Sequence, residues 1–123
     1  MKNIIEEYPT LTTHGFGVDV GQENEFDIER ANLLTKKKEF DVCCDWLKTK
    51  QVTTEPNVDI GTTYRLKQLV EKWYRETYRK GLYIPEGILI TAALSLGIPF
   101  KSIDGLTSVY LGLLLDLNCP EIS

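Results

Sequence analysis

From Ile88 to Leu96 nearly every residue is apolar: Ile88, Leu89, Ile90, Ala92, Ala93, Leu94 and Leu96. A helix that is apolar all round has no face to give to water, so it must be covered on every side. The run is too short for a bilayer, which needs about 20 apolar residues. It therefore predicts a central helix inside a globular core, with the rest of the chain supplying its cover. Pro85 suits the first helical position, where no N–H is required. Glu86 falls in the positive first turn. Gly97 and Pro99 stop the helix.

The nearest cover lies just upstream. Leu66, Leu69, Val70 and Trp73 recur at helical spacing, and Thr77 continues their line. Thr62 or Thr63 is a natural N-cap. Gly81 is a natural C′ residue, and Arg79 and Lys80 occupy the last turn, where the macrodipole favours cations. These signals predict a helix over Thr63–Lys80 and a tight corner over 81–85. Leu89, Ala93 and Leu96 are expected to pack toward Leu66, Leu69 and Trp73.

The other side of the upstream helix carries the candidate contact surface. Arg65, Lys72, Arg75 and Arg79 fall within one quadrant, and Tyr64, Tyr74 and Tyr78 flank the apolar stripe. Arginines beside tyrosines suit an acidic protein surface or a phosphate chain. The same pattern also fits a plain solvated face, because Glu71 and Glu76 can pair with Arg75 and Lys80 four residues on. Helix, glycine corner and second helix have the outline of a helix-turn-helix. That second helix offers base edges only Glu86, Thr91 and Ser95, a poor set for reading DNA. A nucleic-acid-binding module, assisted by Lys36–Lys38, is thus the alternative to a protein-binding one.

Thr63-Tyr64-Arg65-Leu66-Lys67 with Val70-Glu71, then Tyr83-Ile84-Pro85-Glu86-Gly87 with Ile90 and Ala92-Ala93, resembles a group of small uncharacterised bacterial proteins. That group shares a Ser/Thr-Tyr-x-Leu-Lys helix start and a Tyr-[Ile/Val]-x-x-Gly-x-x-Ile-x-Ala-Ala segment. Cys44-Asp45-Trp46-Leu47, a cysteine before a Trp-Leu pair, is similar as well. The resemblance covers about a third of the chain. It implies an origin on a prophage or other mobile element. It brings no activity, cofactor or site residue with it.

A chain of 123 residues is the size of one domain, 1–123. Its 42% hydrophobic and 26% charged content suits a globular protein. The net charge of −4 argues against generic nucleic-acid binding. That charge is uneven: residues 1–60 hold 7 bases and 12 acids, residues 61–101 hold 7 and 3, and residues 102–123 hold 0 and 3. Four acids, Glu23, Glu25, Asp27 and Glu29, crowd into seven residues. They form an alternative contact patch that imitates a phosphate run, or else an acidic helix start.

Cys43, Cys44 and Cys119 have no zinc spacing, and Glu25 and Asp27 lack the rest of a calcium loop. No metal or cofactor is expected. The odd cysteine count, with no secretory pattern over residues 1–20, predicts a cytoplasmic protein without membrane association. His14, the only histidine, has no identifiable partner in the sequence and is a weak general base.

The remaining segments complete the outline. Residues Met1–Pro9 read as a loosely held arm. Phe16, Val18 and Val20 alternate with Gly15, Gly17 and Asp19, predicting a strand within Leu11–Val20. Phe26–Leu34 reads as a short helix, and Phe40, Cys43, Cys44 and Leu47 as a helix reaching about Lys50. The two can also be one bent helix. Gln51–Gly61 is the main loop. Leu106–Leu117 reads as strand rather than helix because of Val109, Tyr110 and Gly112, and is expected to pair with Leu11–Val20. The expected fold is α+β: a mainly helical single domain with three or four helices and a small antiparallel sheet from the chain ends. The expected function is non-enzymatic binding or regulation of a protein partner, as for a phage inhibitor of a host protein or nucleic-acid-handling complex.

Overall fold

The computed structural model describes residues 1–18 and 21–115. In chain order the elements are α1 (Lys2–Glu7), β1 (Leu11–Thr12), β2 (Gly15–Phe16), α2 (Phe26–Asn32), α3 (Lys37–Lys48), β3 (Gln51–Val52), α4 (Thr63–Tyr78), α5 (Glu86–Ser95), β4 (Phe100–Ser102), β5 (Val109–Leu111) and β6 (Leu113–Leu114). The architecture is α+β, with helices dominating and all strand pairs antiparallel.

The apolar run folds as its composition requires. Every residue of α5 from Glu86 to Ala93 is buried. Its main cover is α3, with α4, the nearest cover expected from the sequence, second. Trp46, Cys43 and Leu47 on α3 are buried in the same core as Ile88, Leu89 and Ile90. Leu89 and Ala93 are fully buried, but Leu96 is 38% exposed. Leu96 is the C-cap, just beyond the last turn of α5, and the chain re-enters the core at Ile98. Among the described residues no helix is long and apolar enough to cross a membrane.

The N-terminal arm is a helix, not a loose segment. Ile5 of α1 is buried. Arg30 of α2 donates to the carbonyls of Ile5, Tyr8 and Leu11, which satisfies acceptors left open where α1 ends. The break between α2 and α3 falls at Lys36, so these are two helices rather than one bent one.

The strands form three two-stranded pieces rather than one sheet of the chain ends. Gly15 (φ 124°) and Gly17 (φ 92°) have positive φ, so residues 11–16 fold back on themselves as the β1–β2 hairpin. Asp19 and Val20 of the expected strand lie outside the described residues. One backbone bond joins the hairpin to the C-terminal segment, from the Phe16 N–H to the Thr107 carbonyl at 2.9 Å. The strand reading of Leu106–Leu117 holds over Val109–Leu111 and Leu113–Leu114 but not over 106–108, and Asp116 and Leu117 lie outside the described residues; the partners differ, β5 pairing with β4 and β6 with β3. Gly112 is the switch point. Its N–H donates to the Pro99 carbonyl on the β4 side, and its carbonyl accepts from Thr53 on the β3 side. A side chain at 112 would press on Thr53 and Glu55, so a residue without Cβ is needed at this crossing.

Candidate functional site

The basic face predicted on α4 is split by the fold. Arg65 turns its guanidinium back to the Ile60 carbonyl at 3.4 Å, and its stem lies against Gly61. It sits 14 residues before Arg79, about 21 Å along the helix axis. Lys72 is half-buried. Arg75, Tyr78, Arg79 and Lys80 remain together at the exposed C-terminal end of α4. Arg75, Arg79 and Lys80 make no ion pair among the described residues.

Two local corrections explain that. Glu71, a potential partner of Arg75, is taken by Lys67 at 3.3 Å and by the Ile84 N–H at 2.9 Å. The helix ends on Arg79 rather than at Gly81: Arg79 has φ 60°, the only positive φ among described non-glycine residues. The Tyr78 ring lies 4.7 Å from Tyr74 and 6.3 Å from Trp73, and Lys38 stands 5.8 Å from the Tyr74 ring. The result is a compact basic and aromatic corner. The Lys36–Lys38 cluster contributes only Lys38 to it, since Lys37 pairs with Asp41 at 2.8 Å and Lys36 lines a cavity near His14.

The acidic stretch does not present one surface either. Glu23 accepts from the Gly21 N–H at 3.3 Å, and Asp27 is exposed, while Glu25 is half-buried. Glu29 points inward to the partner that the sequence did not reveal. Its Oε2 lies 3.0 Å from His14 Nε2 and accepts from Thr13 at 2.9 Å, and its Oε1 accepts from Asn32 at 2.6 Å. Burial works to raise the Glu29 pKa. The bonds from Asn32, Thr13 and His14, with the His14 charge, outweigh it and hold the carboxyl below its ordinary 4.5.

A folded-state pKa that is depressed adds stability above the unfolded value, and that stability is lost as pH falls through the folded value. The free energy of unfolding is therefore expected to decline as pH drops below 4.5. Glu29→Gln should flatten this acid limb in denaturant melts taken along a pH series. An identical limb in the variant would show that the Glu29 network contributes nothing.

The His14 network sits beside a cleft of about 550 Å³. Its walls are the β1–β2 turn with Thr13 and His14, the start of α4 with Tyr64 and Lys67, the Tyr83–Glu86 segment, and residues 105–108. A smaller cavity of about 230 Å³ shares Thr13, His14 and Tyr83 with it. Two charged groups at the cleft are nearly buried, Lys67 and Glu86, each 8% exposed. Lys67 Nζ pairs with Glu71 and stands 4.4 Å from the Tyr83 ring centroid. Glu86 Oε2 accepts from the Thr63 hydroxyl at 2.6 Å, and that hydroxyl accepts from the Val109 N–H at 3.1 Å. Thr63 is thus a bridge between α4, α5 and β5, and not an N-cap; Thr62 holds that position without a side-chain bond.

Sequence reasoning passed over this cleft. Lys67 does keep helical step with Thr63, Val70 and Tyr74, and all four are buried. A cation inside a buried stripe was the available signal.

The cysteines occupy quiet positions. Cys43 is fully buried, and burial pushes its thiol pKa up strongly. Burial also raises the Cys44 thiol, against a hydrogen bond from Ser95 that works to lower it. Raised thiols are poor nucleophiles at neutral pH. Cys119 lies outside the described residues. Among the described residues no group of three or more His, Cys, Asp or Glu is placed to hold a metal ion. Comparison with family models, with curated proteins and with solved structures finds no match to this chain.

Proposed function

We propose that this is a non-enzymatic binding protein that docks on an acidic surface of a partner protein through the C-terminal corner of α4. The observation that carries the reading is the cluster of Arg75, Arg79 and Lys80, exposed beside Tyr78 with no ion pair among the described residues. Arginine and tyrosine are enriched in protein contacts, and arginine grips carboxylates in bidentate fashion. The left-handed Arg79 supports the same reading. A non-glycine residue there costs on the order of 1 kcal/mol, and such outliers cluster at functional sites such as ligand clamps and switch regions. The overall charge of −4 weighs more against a phosphate chain, which is anionic along its whole length, than against a local acidic patch on a protein. A regulatory or inhibitory role for a mobile element, in the reducing cytoplasm of a host, belongs to the same proposal and rests on the family resemblance and the cysteine usage.

The test is the charge reversal Arg75→Glu with Arg79→Glu. Stability should move by no more than about half a kcal/mol per site, as for exposed charge changes. Retention of partner proteins from a host-cell extract should fall by more than about tenfold, or 1.4 kcal/mol. Equal retention by the reversed protein would reduce the corner to a solvated face. Competition by duplex DNA at moderate salt would favour the nucleic-acid alternative instead.

A further inference from the structure

We infer that the cleft between the β1–β2 turn and α4 is a binding site for a small zwitterion of the α-amino-acid class, with an aromatic side chain. The cleft volume of about 550 Å³ falls in the range of small-molecule sites. Its charged groups are built in rather than solvated. Lys67 and Glu86 are both more than nine-tenths buried, and both line the cleft. Burying two charges is costly unless each is held by hydrogen bonds, and here each is held by a dedicated partner, Glu71 for Lys67 and Thr63 for Glu86.

Neither group is exhausted by its partner. Glu86 uses Oε2 for Thr63, while Oε1 makes no hydrogen bond. No fully buried polar side-chain atom among the described residues lacks a partner, so Oε1 keeps some accessible surface, and Glu86 lines the cleft. Lys67 has three N–H donors and gives one to Glu71. An accessible acceptor and a spare cationic donor thus line the same cleft.

That pairing selects the ligand. A purely anionic molecule meets Lys67 but is repelled by Glu86, and a purely cationic one meets the reverse. A molecule with an ammonium and a carboxylate offers each group a counter-charge, its carboxylate sharing the Lys67 ammonium with Glu71. The apolar part of the ligand has its own walls. Tyr64 and Tyr83 line the cleft and are 57% and 68% exposed, which leaves Tyr64 and the side of Tyr83 away from the Lys67 ammonium open to stacking. The site is independent of the basic corner of α4, so reversal of Arg75 and Arg79 should not affect it.

The experiment is calorimetric titration of the wild-type chain with L-phenylalanine, phenethylamine, 3-phenylpropionate and glycine. L-phenylalanine is expected to bind at least about tenfold more tightly than either half-molecule or glycine. Glu86→Gln should lower its affinity toward that of 3-phenylpropionate, and Lys67→Met toward that of phenethylamine. Both side chains are buried, so the amide spectrum of each variant is checked first. The ligand series on the wild-type chain decides the matter even if a variant does not fold. No binding at millimolar L-phenylalanine, or equal binding of one half-molecule, overturns the proposal. Affinity unchanged in a folded Glu86→Gln protein overturns it too.

Discussion

Replacing Gly87 with alanine is expected to destabilise the protein by roughly 3 kcal/mol, the upper end of overpacking costs. The usual rule runs the other way: alanine in a helix is better than glycine by about 1 kcal/mol. The reversal comes from the neighbour. Gly87 stands in the first turn of α5, where backbone N–H groups have no partner within the helix. Its N–H donates to the Thr13 carbonyl at 2.9 Å, which draws the β1–β2 turn onto the helix backbone. A Cβ at 87 would collide with the Thr12 carbonyl and the Thr13 backbone, which cannot swing aside as a side chain can. The hairpin must therefore lift, and with it His14 and the wall of the cleft. Urea melts of the variant measure this. A gain of stability of the ordinary glycine-to-alanine kind would show that the close approach is not required.

Leu89→Ala should cost about 2–5 kcal/mol, the range for truncating a buried leucine. Leu89 is fully buried on α5 and belongs to the same core as Leu66, Val70, Cys43 and Trp46. It sits in a core that includes residues of α3, α4 and α5, so the loss should lie well above the floor of that range. The midpoint of denaturant unfolding should drop while its slope stays constant. A loss below about half a kcal/mol would mean that α5 is not central.

Much of the helical frame was legible in the chain. The all-apolar run of Ile88–Leu96 demanded burial, and α5 is buried along nearly its whole length. The period of Leu66, Leu69 and Val70 marked α4, and that of Cys43 and Leu47 marked α3. Such patterns survive because an amphipathic helix carries its own hydrogen bonds and needs only an apolar surface to lean on. The strand reading of residues 109–114 survived for a similar local reason, through β-branched and aromatic residues and Gly112.

Partnership was decided elsewhere. Strand pairing depends on which edges meet, so the expected sheet of chain ends gave way to three short pairs once Gly15 and Gly17 turned the first strand back. The cleft belongs to the same class of facts. Glu29 reaches His14 across 15 residues, and Thr63 reaches Glu86 across 23. Nothing in the local pattern of either segment encodes such a meeting. The sequence by itself determined α3, α4 and the buried α5, because periodicity and composition act within one element, but not α1, whose segment reads as a loose arm. Only the tertiary structure decided which charges face one another, because a salt bridge or a cleft exists only where separate elements are brought within a few ångströms.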